Sequence, residues 1–360
     1  MSLRCGIVGL PNAGKSTIFN ALTHSNVAAE NYPFCTIKPN FGIVKVPDFR
    51  LGKLTKLVNP ERVIHANIEF IDIAGLVPGA SKGDGLGNQF LSHIRETNAI
   101  LNVFRCFENI NVPYSNGGNI NPISDIEIIE TELILADIQT AERMLFRFNK
   151  IRNQENSNII KVLETCIDNL NIGKSIRTLD IFSKNYSLLS SAFITAKPIL
   201  YIANVDDNAS LNKKLLNEID SFVKKRQSGL IKINASLESE IVNLTNEDRL
   251  FIAMEMGIQE PALNHLIRFA FNLLGLQTYF TVGNKEVRAW TIPINTTASR
   301  AAGIIHSDFE RGFIRAQTIS YKDFIEFKGE IGAKKAGKLR LEGKEYLVND
   351  GDIMHFLFNI

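Results

Sequence analysis

The sequence predicts an α/β protein: a mostly parallel sheet covered by helices, with a helical insertion and a small β-rich C-terminal domain. Three observations carry that expectation. The segment "GLPNAGKST" sits between an apolar strand and an apolar helix. Short Ile-, Val- and Phe-rich runs alternate with helical stretches. After residue 276 the apolar period falls to two.

The strands come first. Arg4–Gly9, Phe41–Val46, Ala66–Ile73 and Ala99–Phe107 read as buried strands, and Pro198–Asn204 and Leu230–Asn234 continue the series. Between Ser124 and Lys197 the pattern changes. Ile134, Ile138, Ala141, Leu145 and Phe148 form one stripe, and Ile159, Leu163, Cys166 and Leu170 a second, with the polar stretch 152–158 between them. Such stripes predict an antiparallel helical hairpin with a coiled-coil seam, or a helical bundle packed on the core. Glu260–Leu274 reads as a closing helix capped by Gly275. The turns "VGNKE", "LEGKE" and "VNDGD" punctuate the last domain. The expected boundaries are therefore 1–123 and 198–276 for the nucleotide-binding domain, 124–197 for the insertion and 277–360 for the β-rich domain.

Composition narrows the class. The 360 residues exceed one ordinary domain, 45% are hydrophobic, and the formal net charge is +2, so any basic surface is local. The four cysteines are widely spaced, which disfavours both zinc and a disulfide framework. No apolar stretch has membrane-spanning length, and the N-terminus lacks a long apolar leader. The expectation is a cytoplasmic protein with no membrane partner.

The chemistry starts at Gly9-x-x-x-x-Gly14-Lys15-Ser16, the full spacing of a P-loop. Glycines let backbone N–H groups turn towards phosphates, Lys15 neutralises the β and γ groups, and Ser16 is placed to ligate Mg²⁺. In "FIDIAG", Asp72 ends a strand, where it would hold the metal through water, and the Gly75 amide would meet the γ-phosphate. "YPFCTIKPN" offers Thr36 as a second metal hydroxyl; a solvated loop threonine is the plainer alternative. Gly79, Gly83, Gly85 and Gly87 follow, a density suited to a switch loop or a flexible linker. Asn12 is a turn-forming residue or a ligand for a monovalent cation such as K⁺. Leu76 follows Gly75 where many GTPases place a water-orienting glutamine. Leucine cannot hydrogen-bond a water, so slow hydrolysis is expected.

Guanine-specific relatives carry N-K-x-D after the fifth strand; here Asn204-Val205-Asp206-Asp207 lacks the lysine. The chain resembles the YchF family of Obg-related P-loop NTPases. "GIVGLPNAGKST", "YPFCTIKPN", "IDIAGLVPGASKGDGLGNQFLSHIRE", "YIANV", "RAWTI", "AAGIIHSDFERGFIRA" and "DGDIMHFLFN" carry the resemblance. It implies a G domain, a coiled-coil insert and a C-terminal TGS domain of ubiquitin-like β-grasp fold. It also implies a slow Mg²⁺-dependent ATPase that binds the ribosome, with GTP weaker, the large subunit as partner and a monomeric state. Asn12, Ala13, Gly14, Lys15, Ser16 and Thr17 then form the phosphate loop, Ser16 and Thr36 supply the metal hydroxyls, and Asn204 with Val205 contacts adenine. Two departures stand out: Asp207 where the family usually has Glu, and Tyr114 where relatives carry a histidine proposed as catalytic. Tyrosine can orient a water but is a poor general base at neutral pH. A GTPase of the same fold, or an adaptor indifferent to nucleotide, are the competing readings. A Lys334, Lys335, Lys338, Arg340 and Lys344 cluster is either an rRNA contact or, with Glu330, Glu342 and Glu345 interleaved, a solvated face.

Overall fold

The computed structural model describes residues 3–24, 40–73, 86–108, 120–150, 154–206, 213–245, 248 and 260–359. They fall into two compact units, Met1–Ile43 with Glu69–Leu266, and Val44–Ile68 with Ile267–Ile360.

The first sheet contains β1 (Arg4–Val8), β2 (Phe41–Lys45), β4 (Asn67–Asp72), β5 (Ala99–Arg105), β6 (Ile199–Asn204) and β7 (Gly229–Ile233), while β3 (Arg62–Ile64) joins the second sheet. Its order is β2-β4-β1-β5-β6-β7, and β1 runs parallel to both β4 and β5, β5 to β6, and β6 to β7. All residues of β5 and β6 are buried, as strands covered on both faces must be. The six strands read from the sequence are therefore all present, five of them shorter by a residue or two and β7 displaced by one residue towards the N-terminus. Because β1, β4, β5, β6 and β7 are parallel, their C-terminal ends share one end of the sheet, where α/β folds bind ligands.

Helices α1 (Lys15–His24), α3 (Leu86–Arg95), α8 (Lys213–Lys225) and α9 (Ala235–Val242) belong to this unit. Between β5 and β6 lie α4 (Pro122–Lys150), α5 (Gln154–Asn171), α6 (Ile181–Lys184) and α7 (Tyr186–Ala192). The N-terminal half of α4 packs on the sheet core through Ile126, Ile129 and Leu133, beside Phe104 and Tyr201. Its remaining length builds a separate core with α5, and all nine residues of the two sequence stripes lie in or against it. The stripes thus specify a helix pair whose first member is shared between two cores. The buried Asp137 of α4 ties the insert to the chain re-entering the sheet. Its carboxylate accepts the Ile194 N–H at 2.9 Å, and the Thr195 N–H and hydroxyl, both at 2.7 Å.

Helix α10 (Ala262–Leu273) comes next and ends at Gly275, whose φ of 65° is the left-handed cap that glycine adopts most cheaply. The second sheet adds β8 (Leu276–Val282), β9 (Glu286–Pro293), β10 (Phe313–Ile319), β11 (Arg340–Glu342) and β12 (Ile353–Phe358) in the order β11-β10-β12-β8-β9-β3. The first and last C-terminal strands, β8 and β12, are central parallel neighbours, flanked by antiparallel β9 and β10, the arrangement expected of a β-grasp sheet. Helices α11 (Ala298–Ile305), α12 (Ser307–Arg311), α13 (Tyr321–Glu326) and α14 (Glu330–Lys335) complete the unit. Ala298, Ala301 and Ala302 of α11 are fully buried against Tyr279 and Phe356.

Two elements joined to this unit lie far upstream. Strand β3 pairs in parallel with β9, and α2 (Phe49–Val58) carries Arg50, which bridges Asp48 at 2.8 Å and Asp350 at 2.7 Å. The sequence boundaries assigned residues 44–68 to the nucleotide-binding domain; within that stretch β3 and Arg50 find their partners in the C-terminal unit.

Candidate nucleotide-binding site

The phosphate loop leaves β1 at its C-terminal end and enters α1 at Lys15. Two of its glycines are sterically required. A Cβ on Gly9 would lie 2.3 Å from the Val103 carbonyl oxygen. Gly14 has φ +94°, and a Cβ there would lie 2.1 Å from Asn204 Nδ2. Asn12 has φ 63°, a left-handed turn position that asparagine tolerates, which fits its turn-forming role. The Ala13 N–H donates to the Leu10 carbonyl at 3.3 Å, and the Ile18 N–H to the Gly14 carbonyl at 3.0 Å, closing the loop onto the first helical turn.

Lys15 is buried, and its ammonium donates to the Leu10 carbonyl at 2.9 Å. Burial pushes its pKa below the ordinary lysine range, while the carboxylate of Asp72 acts the other way. Asp72, at the end of β4, accepts the Ser16 hydroxyl at 2.7 Å through Oδ2. Its Oδ1 is buried without a hydrogen-bond partner among the described residues. A hydroxyl beside a carboxylate with one oxygen unsatisfied is a hard-oxygen donor set, and it fits a divalent cation that shares its remaining ligands with phosphate and water. Ser16 and Thr17 are exposed on the first turn of α1.

Asn204 is the structural hinge of the site. It ends β6, is 4% exposed, donates from Nδ2 to the Ala13 carbonyl at 3.0 Å and accepts the Ala235 N–H at 3.2 Å. One amide thereby locks three segments together: the phosphate loop, the end of β6 and the start of α9. Each amide atom retains one further hydrogen-bonding direction. Val205 is half-buried against the sheet core, and its N–H donates to the Ile233 carbonyl at 2.9 Å. Beside it, Asp206 has a buried Oδ1 without a partner among the described residues.

Of the residues expected at the site, Asn12, Ala13, Gly14, Lys15, Ser16, Thr17, Asp72, Asn204 and Val205 lie at this end of the sheet. Thr36, Gly75, Leu76, Tyr114 and Asp207 fall outside the described residues. Sequence reasoning missed Ala235, whose backbone N–H completes the Asn204 clamp, and Asp206. The only sequence signal for Ala235 was its place just after a strand, at the start of a helix whose Asn234 cap accepts the Leu237 N–H at 3.1 Å.

Residues 4–163 match a family described as 50S ribosome-binding GTPase, and residues 276–359 match the YchF-GTPase C-terminal family, described as a protein of unknown function. The chain is 51% identical over 364 residues to the ribosome-binding ATPase YchF of Escherichia coli O157:H7, covering 100% of both proteins. It is 47% identical to the ribosome-binding ATPase YchF of Bacillus subtilis, again with 100% of both covered. Among solved structures, the Schizosaccharomyces pombe YchF GTPase matches with a TM-score of 0.89 at 35% identity, covering 99% of this chain and 98% of that one. With end-to-end identity at this level and the phosphate site in place, the chain belongs to the YchF family of P-loop NTPases.

Proposed function

We propose that this protein is a magnesium-dependent ATPase that acts as a nucleotide-dependent switch on the ribosome. The observation that carries the reading is the Lys15–Ser16–Asp72 constellation, held to the base-binding turn by the Asn204 amide. Its relatives in Escherichia coli and Bacillus subtilis bear the name ribosome-binding ATPase. Phosphoryl transfer asks the protein mainly for position and for charge stabilisation. Lys15 has two ammonium hydrogens left for the β and γ phosphates. Turning N–H groups at 14–17 and the N-terminus of α1 add positive potential. Ser16 and Asp72 would hold Mg²⁺, which neutralises developing charge when bound, and Thr36 would complete that set from its loop.

Adenine preference rests on Val205. Without a lysine stem to lie on a guanine ring, the turn offers an apolar wall and the remaining donor of Asn204. Asp207 argues for the second reading, a GTPase, as does the description of the Schizosaccharomyces pombe relative as a GTPase. Slow turnover follows from Leu76, with Tyr114 left to orient water and Gly75 to meet the γ-phosphate. A K⁺ ligand role for Asn12 rests on relatedness to cation-dependent NTPases. We read the protein as a cytoplasmic monomer whose partner is the large ribosomal subunit, with the C-terminal unit as a TGS domain and the domain boundaries given above. Among the described residues no helix is long and apolar enough to cross a membrane.

Co-sedimentation with ribosomes, using wild type and Lys15→Ala with and without ATP, tests the switch. The expected result is ATP-dependent binding in wild type that Lys15→Ala loses. Equal binding in all four conditions would leave an adaptor instead.

A further inference from the structure

The opposite end of the first sheet carries a second polar site. Strands β1, β5, β6 and β7 are parallel, so the turn before β7 lies at the far end from the phosphate loop, which follows β1. There a cleft of about 530 Å³ opens between the 173–181 segment, α5 and the 225–227 turn. That volume is within the range of small-molecule sites, roughly 300–1,000 Å³.

Its floor is an unbalanced ion cluster. The Glu130 carboxylate accepts the Tyr201 hydroxyl and Arg177 Nη2, the latter at 3.3 Å, through Oε1, and Arg226 Nε at 3.0 Å through Oε2. Burial raises the Tyr201 pKa well above the usual phenol value, so it serves as a neutral donor. Two guanidiniums therefore share one carboxylate, with the Arg177 and Glu130 side chains 10% and 11% exposed. Arg177 Nε is buried and has no acceptor among the described residues. A desolvated positive charge in excess of its partner is costly, and an anion placed against it offsets that cost. Lys174 and Lys225, both exposed, stand at the rim, and among the described residues Asp180 is the one further carboxylate in the lining.

We propose that this cleft binds a small molecule bearing a terminal phosphate, at a site separate from the nucleotide. A guanidinium fork matches a phosphate with paired hydrogen bonds, and two forks with two lysines suit a doubly charged group. Arg177 lies at nine-tenths burial on the floor. A terminal phosphomonoester or pyrophosphate reaches it end-on; an internal phosphodiester, flanked by two riboses, does not.

The test uses the full chain in a Lys15→Ala background without magnesium, which silences the phosphate loop, and titrates inorganic pyrophosphate by calorimetry. The expected dissociation constant is below about 1 mM. Lys174→Glu with Lys225→Glu, both at exposed positions, should weaken it at least about tenfold while leaving the thermal unfolding midpoint unchanged. No binding up to about 10 mM, or equal binding in the rim variant, would overturn the proposal. So would tight binding of a single-stranded RNA 12-mer that pyrophosphate does not displace.

Discussion

Replacing Asn204 by alanine separates a scaffold role from a base-reading role. Asn204 is 4% exposed and holds the Ala13 carbonyl at 3.0 Å and the Ala235 N–H at 3.2 Å. Alanine removes both partners and leaves a buried acceptor and a buried donor unmatched. Each orphaned group costs about 1–3 kcal/mol, so Asn204→Ala should destabilise the nucleotide-free protein by roughly 2–6 kcal/mol. For a unit of this size that is a fall of roughly 4–24 °C in unfolding temperature. Nucleotide affinity should fall with it, because Ala13 and Gly14 lose the contact that fixes their backbone. The assay is thermal unfolding of the nucleotide-free protein, paired with ADP binding by calorimetry. A variant that loses ADP binding yet unfolds at the wild-type temperature would refute the clamp and leave Asn204 as a base contact alone.

Three further outcomes are expected. Val205→Lys should shift the ratio of GTP to ATP affinity towards GTP, read by competition against a fluorescent ADP; an unchanged ratio would remove Val205 from base choice. Ser16→Ala should raise the Mg²⁺ concentration needed for half-maximal hydrolysis several-fold, and an unchanged requirement would detach the Ser16–Asp72 pair from the metal. Lys197 donates to the Ile94 and Arg95 carbonyls at 2.7 and 2.8 Å and to that of Thr97, capping the end of α3. Lys197→Met, which orphans these carbonyls, should cost about 2–4 kcal/mol near neutral pH, measured by urea unfolding. Burial pushes the Lys197 ammonium down to about 8, against 10.5 when unfolded. Between those values the unfolded chain holds more protons, so this group's contribution is constant below pH 8 and rises from there to pH 10.5. The methionine variant should lack that rise, and a parallel pH profile in both proteins would show that the ammonium titrates elsewhere.

The sequence revealed what is local and lost what is not. The P-loop was legible because each of its letters meets a local demand: Gly14 at positive φ, Lys15 and Ser16 at the head of α1. The strands were legible because β5 and β6 are buried on both faces and so read as unbroken apolar runs. The two helical stripes were legible because 3.6-residue periodicity survives in any amphipathic pair. By contrast, β3 is three residues long, too short for a period, and its partner β9 begins 224 residues after Arg62 at Glu286. The pairing of Arg50 with Asp350 spans 300 residues, and no local pattern encodes it. The four short helices of the C-terminal unit were hidden for a related reason: α11 is buried through alanines, which carry little periodic contrast. Asp206 was passed over because its neighbours Val205 and Asp207 hold the positions expected to decide base choice, and only burial of its Oδ1 draws attention to it.

Base choice is the claim on which the ATPase reading turns, and direct competition measures it. Nucleotide-free protein loaded with a fluorescent ADP is titrated with ATP and, separately, with GTP, at saturating Mg²⁺. ATP should displace the probe at the lower concentration, and single-turnover hydrolysis should proceed with ATP at a rate below about 1 s⁻¹. Tighter binding of GTP than of ATP, by tenfold or more, would contradict the account and make the protein a GTPase.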